Sequence, residues 1–174
     1  MKNLFIFFTL VYLLVFFSKP VFAESNYVLP YPSFMPEDKL YKINLVWEKL
    51  SKHWYFGDFG KFNYNLKMAD KYLVEAKTLF EYKQYLLGYE ALEKSNFYFT
   101  NILPSIAKAE KRIKDVTQKR AILRGVSRKH IEVLKEMERD TPDAFLWQPE
   151  KTSSTTLHLK KSLTNSIYLR EKNL

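Results

Sequence analysis

Between residues 61 and 82 the apolar side chains recur in alternating steps of four and three: Phe62, Leu66, Ala69, Leu73, Ala76 and Phe80. Steps of that size put all six on one side of an α-helix and make a packing seam nearly three heptads long. A seam needs a partner, and its two alanines let another helix approach closely. Similar stepping elsewhere supplies that partner. Leu40, Ile43, Trp47, Leu50 and Trp54 predict a first helix over about 36–56, with Lys42, Glu48, Lys49 and Lys52 on its opposite, solvent-facing side. Pro36 and the acids after it mark the start of that helix. Gly57-Asp58-Phe59-Gly60 reads as the break between the first and second helices.

A third helix carries Leu92, Ser95, Phe99 and Ile102 in one stripe, which Tyr85 and Tyr89 extend backwards. Gly88 weakens its middle slightly. Pro104 either kinks this helix or opens the next; with no Gly or Asn cap seen before it, a kinked third helix is expected. The fourth and longest segment, 105–139, has Ile106, Ala109, Ile113, Val116 and Leu123 on its apolar side, then Ile131, Leu134 and Met137. Gly125 and Ser127 suggest a bend between its halves. Residues 141–151 read as a linker, and 152–174 as a short docked helix or a frayed tail.

Composition agrees with helices. Only four glycines occur, Lys, Leu and Glu are plentiful, and long Val/Ile/Thr runs are missing. The expected class is all-α: a bundle of about four main helices over 37–140, its third and fourth helices long and partly kinked, with mostly antiparallel neighbours. The chain has no cysteine, so packing alone must hold it, without disulfides, thiol chemistry or thiolate metal sites.

The first 23 residues have a different character. Lys2 gives a positive start, Leu4 to Phe17 is almost wholly apolar, and Val21-Phe22-Ala23 puts small residues where signal peptidases cut. The apolar run is shorter than the ~20 residues of a membrane span. A signal-peptide helix cleaved after Ala23 is expected; if retained, it would act as an anchor. Either way the chain is exported, secreted or held in the cell envelope. Residues 24–36, with Pro30 and Pro32, form an extended proline-rich leader.

Charge is uneven. The chain is +9 overall, yet residues 24–103 balance ten lysines against ten acids. Residues 108–129 hold nine basic residues against Glu110 and Asp115, a balance of +7. Arg120, Arg124 and Arg128 recur every fourth residue and point one way, with only Glu132 placed to pair, with Arg128. Guanidinium forks suit phosphate and carboxylate oxygens. With Lys111 and Arg112, these arginines form the candidate anionic-partner surface. Outside the cytoplasm, that partner is an envelope polymer, a membrane surface or an acidic protein rather than nucleic acid. The bland alternative is a solvated face that keeps the protein soluble.

A second candidate is aromatic. Trp54, Tyr55 and Phe59 cluster near the first break, and Tyr85 and Tyr89 share one side of the third helix. Flat faces of this kind stack sugars or hold peptides, and they also fill cores. Trp47 and Trp54 are expected in the core.

Catalytic patterns are absent. His53, His130 and His158 have no ligand at helical spacing, and the chain lacks a Gly-x-Ser-x-Gly elbow and a phosphate loop. Glu48, Asp58, Asp70 and Glu75 sit among lysines and read as surface charges. No enzyme, cofactor or metal is expected.

Leu66-Lys67-Met68-Ala69-Asp70-Lys71-Tyr72-Leu73-Val74-Glu75-Ala76, after the Leu29-Pro30 leader, Leu40-Tyr41 and a Trp47-centred helix, resembles the bacterial domain-of-unknown-function family numbered 5667 over roughly residues 27–103. That family typically shows a helix of the form Leu-x-x-Ala-x-x-Arg-Leu-x-Glu-Ala. Here Tyr72 stands where the family often has arginine, and Lys39 where it often has proline. The resemblance implies an extracytoplasmic helical domain with no defined catalytic residues. Some members lie outside the membrane on proteins resembling anti-sigma factors. That role is not expected here, with no domain ahead of the signal. The expectation is a non-enzymatic interaction module using its basic helix, with a chaperone-like peptide or glycan binder as the alternative.

Overall fold

A computed structural model describes residues 26–32, 34–36, 38–151 and 153–174. The predicted signal peptide lies outside the described residues. The chain is mostly helical: α1 Tyr41–Ser51 with a 3-10 turn over Lys52–Trp54, α2 Gly57–Glu81, α3 Tyr85–Thr100, α4 Ile102–Lys111, α5 Thr117–Asp140 and α6 Leu159–Glu171. Two short strands, β1 Phe145–Trp147 and β2 Thr155–Leu157, pair antiparallel, with Leu146 opposite Thr156.

The seam on α2 organises the fold. Phe62, Ala69, Leu73, Ala76 and Phe80 are buried, and Leu66 is half-buried. α3 folds back along it, and α5 and α6 complete the bundle. One apolar cluster gathers Leu73, Leu92, Leu134, Leu163 and Ile167; a second gathers Phe62, Phe99, Ile106, Leu123 and Val126. The leader runs extended over the bundle, with Leu29 and Met35 packed on the first cluster and Tyr27 on the second.

Several expected boundaries move. α2 begins at Gly57, so the four-residue break is its first turn. Gly60 is needed there because a Cβ would come within 2.7 Å of the Tyr55 carbonyl carbon. The third helix does not kink at Pro104: α3 and α4 are separate helices meeting at Asn101, and Pro104 lies in the first turn of α4. There its missing N–H is one that no helix uses.

The long fourth segment breaks at Arg112–Val116, and α5 passes through Gly125 and Ser127 without interruption. Ile113, expected on the apolar side, is 97 % exposed at φ 56°. It closes α4 in a Schellman turn: Lys114 N–H donates to Ala109 O at 3.1 Å and Ile113 N–H to Glu110 O at 2.8 Å. Lys83, at φ 59°, closes α2 the same way.

The expected linker is part of the fold, and of the two alternatives for 152–174 the docked helix is the one observed. Together these residues contribute both strands and α6, whose Leu159, Leu163 and Arg170 are wholly buried.

α1 is turned over. Its Leu40–Trp54 stripe, expected in the core, faces outward: Ile43 is 64 %, Trp47 56 % and Trp54 61 % exposed. The helix docks by the edge that carries Tyr41 and Glu48, while Lys42, Lys49 and Lys52 stay exposed. Tyr41 donates to Glu75 Oε1 at 2.8 Å, and Tyr72 donates to Glu48 Oε2 at 2.9 Å. Lys71 pairs with Glu48 and stands 3.8 Å from Glu75.

Candidate functional site

Three parts of the molecule carry chemistry: a buried polar layer, the basic face of α5 and the outward face of α1. The polar layer lies between the two apolar clusters. Each helix that crosses the core contributes there at one level. On α2, Asp70 falls between Ala69 and Leu73; on α3, Ser95 and Asn96 fall between Leu92 and Phe99. On α5, His130 falls between Val126 and Leu134, and on α6 Arg170 follows Ile167.

His130 and Arg170 are wholly buried. Arg170 Nε donates to His130 Nδ1 at 3.1 Å. An arginine can only donate, so Nδ1 is the bare nitrogen, and Nε2–H donates to Asp70 Oδ1 at 2.7 Å. Tyr27 of the leader donates to the other oxygen of Asp70 at 2.5 Å. The Arg170 guanidinium also reaches Asn96 Oδ1 at 2.7 Å, Ser166 O at 2.9 Å and Ser95 Oγ at 2.9 Å, and stacks on Phe99 with 4.7 Å to the ring centroid.

Burial dominates the titration of this layer. It pulls His130 down to about 4, against the raising effect of Asp70, and Arg170 down to about 9, so the imidazole is neutral and the guanidinium charged at neutral pH. Burial and the Asp70 carboxylate together push the Tyr27 hydroxyl well above its ordinary range. An Asp–His pair beside a tyrosine can serve acid–base chemistry. Here both ring nitrogens are engaged and no surface of His130 meets solvent, so the geometry is that of a clamp joining the leader, α2, α3, α5 and α6.

Four carboxylates expected at the surface are turned inward. Asp58, Asp70 and Glu75 are each 4 % exposed, and the Glu48 side chain turns from α1 onto Lys71 and is 12 % exposed. Asp58 sits in the first turn of α2, held by Arg112 at 3.1 Å and Lys114 at 3.3 Å. Glu75 Oε2 is buried without a hydrogen bond, and burial raises its carboxyl above the usual range despite Tyr41 and Lys71. The signal for the layer was legible: Asp70, Ser95, His130 and Arg170 each fall at three- or four-residue steps within an apolar stripe.

The basic candidates separate. Arg112 is occupied by Asp58, and Arg120 by Glu110 at 2.7 Å, a partner ten residues away brought back by the turn after α4. Glu132 pairs with Lys129 at 2.6 Å, not with Arg128. Lys111, Arg124 and Arg128 are exposed and make no ion pair among the described residues. Arg120, Arg124 and Lys172 line one shallow hollow of about 220 Å³.

The aromatic candidates do not form one cluster. Trp54 packs edge-on against Trp47 with centroids 5.2 Å apart, and Tyr55 against Tyr64 at 5.4 Å. Phe59 belongs to the second apolar cluster, beneath Lys114 and Lys119. Tyr85 lies between Phe80 and Phe145, and Tyr89 lines a groove with Leu157 and Ser162. Among the described residues, no group of three or more His, Asp or Glu is placed to hold a metal ion.

No family model matches this chain, and neither a curated protein nor a solved structure matches it. The resemblance to family 5667 therefore rests on the residues of the leader, α1 and α2 alone.

Proposed function

We propose that the chain is an exported, non-enzymatic helical interaction module that meets an anionic partner of the cell envelope. The observation that carries this reading is the free cationic face of α5. Arg124 and Arg128 stand exposed and unpaired among the described residues, and Arg124 shares a hollow with Arg120 and Lys172. Like charges at four-residue spacing oppose helix formation slightly, so the row contributes nothing to the stability of α5. The inward turn of Asp58, Asp70, Glu75 and Glu48 shifts the outward balance further towards positive charge.

The test is co-sedimentation of residues 24–174 with isolated envelopes across a salt series. Binding that weakens steeply with salt, and falls in Arg124→Glu/Arg128→Glu, is expected. Salt-insensitive binding, or equal binding by the variant, would leave α5 as a solvated face.

A further inference from the structure

We infer that α1 is an in-plane membrane-binding helix whose outward face inserts into an anionic lipid surface. The inference deepens the reading above by naming the anionic partner as a bilayer and the contact as α1 rather than α5 alone.

The argument begins with the inverted docking of α1. A helix held by the hydrophobic effect hides its apolar stripe; this one hides Tyr41 and Glu48 and exposes Ile43, Val46, Trp47, Leu50 and Trp54, all between 53 % and 64 % exposed. Contiguous apolar surface of this kind marks a binding site. Phe56, 81 % exposed, prolongs it at the end of the 3-10 turn.

Charge decides the occupant. Residues 38–56 carry four lysines, Lys39, Lys42, Lys49 and Lys52, and two acids, Asp38 ahead of the helix and Glu48 within it. All four lysines are exposed, while Glu48 is turned inward onto Lys71 and Tyr72. The outward surface of α1 therefore combines an apolar strip, two tryptophans and cations with no acid. Lys42 and Lys49 are seven residues apart and flank the strip along one edge.

A second copy of this chain would bring lysine against lysine. An anionic bilayer instead takes the strip into its acyl boundary, the indoles at headgroup depth and the ammonium groups on its phosphates. Among the described residues no helix is long and apolar enough to cross a membrane, so the contact is one of lying on the surface. At the foot of α1 a groove of about 270 Å³, lined by Lys52, Lys61, Tyr55 and Phe97, continues the same chemistry.

The experiment uses residues 24–174, which hold every described element, in a Trp147→Phe background so that only Trp47 and Trp54 emit. Phosphatidylcholine vesicles with and without phosphatidylglycerol are titrated in. The expected result is a blue shift and co-sedimentation with the anionic vesicles, weakened by salt. Trp47→Ser/Trp54→Ser should lose partition at least about tenfold and Lys42→Glu/Lys49→Glu about fivefold or more per charge, with unchanged circular dichroism. Arg124→Glu/Arg128→Glu should still insert its tryptophans.

Absence of vesicle binding would overturn the inference, as would equal binding by the tryptophan variant. Concentration-dependent dimerisation without lipid, lost in that variant, would assign the face to a second copy instead. If vesicles fail while envelopes still bind in a salt-dependent way, the α1 inference falls and the anionic-partner reading stands.

Discussion

Arg170 joins several parts of the fold, through hydrogen bonds to α3, α5 and its own helix and a stack on Phe99. Removing one member of a buried charged network leaves the rest uncompensated, at a cost of about 3–5 kcal/mol. Arg170→Met should therefore lower the thermal midpoint by on the order of 10 °C in a calorimetric scan. Arg170→Lys should recover little of this, since an ammonium cannot reproduce the guanidinium fork. The layer was partly legible in the sequence: Ser95 was placed on the α3 stripe. By sequence alone Asp70 reads as a surface charge and His130 as isolated. Spacing can flag a polar residue on an apolar stripe, but its partner lies 40 to 75 residues away and only the fold supplies it.

Two helices, α2 and α4, end where the chain turns left-handed, and in neither is that residue glycine. Ile113, β-branched and exposed, sits at φ 56°, a conformation that crowds its Cβ. Ile113→Gly should raise stability by about 1 kcal/mol in urea unfolding; an unchanged midpoint would show that the turn stores no strain. Gly125 lies inside α5, so glycine misleads as a bend signal there, and Gly88 lies within α3. At Gly88 a Cβ would meet the Phe80 ring at 2.6 Å, which explains a glycine in the first turn of α3, where it folds back on the end of α2. The contacts that tether α1 to α2 are largely polar. Hydrogen exchange should find the amides of α1 opening well before those of α2, and Tyr41→Phe/Tyr72→Phe should widen that gap while leaving α2 protected. Uniform protection across α1 and α2 would contradict the weak tether.

Taken whole, the molecule should be acid-sensitive from an unusually high pH. His130 is held at about 4 in the folded state and returns to about 6.5 when unfolded. Its folded value is depressed, so the unfolded chain binds the proton first. The stability due to neutral His130 is present above 6.5 and is lost as pH falls towards 4. Urea unfolding at pH 7 and pH 5 should differ by about 2 kcal/mol. Glu75 acts in the opposite direction, because its raised carboxyl favours the folded state once protonated. Measuring in Glu75→Gln isolates the histidine. A flat profile between those two pH values in that variant would contradict a buried neutral imidazole.

The helical class, the seam on α2 and the stripe on α3 were determined by local periodicity, because steps of three and four decide which side chains share a face whatever the rest of the chain does. Periodicity does not decide which way a face turns. On α2 the seam faced inward because α3 offered an apolar partner; on α1 a stripe of the same spacing faced outward because Glu75, Tyr72 and Lys71 hold its Tyr41 and Glu48 edge against α2. The same holds for charge. The sequence shows which segment is basic, but Asp58 and Glu110 occupy Arg112 and Arg120 through contacts that form only when the turn after α4 brings them together. Tertiary structure alone decided which cations and which apolar face remain free to meet a partner.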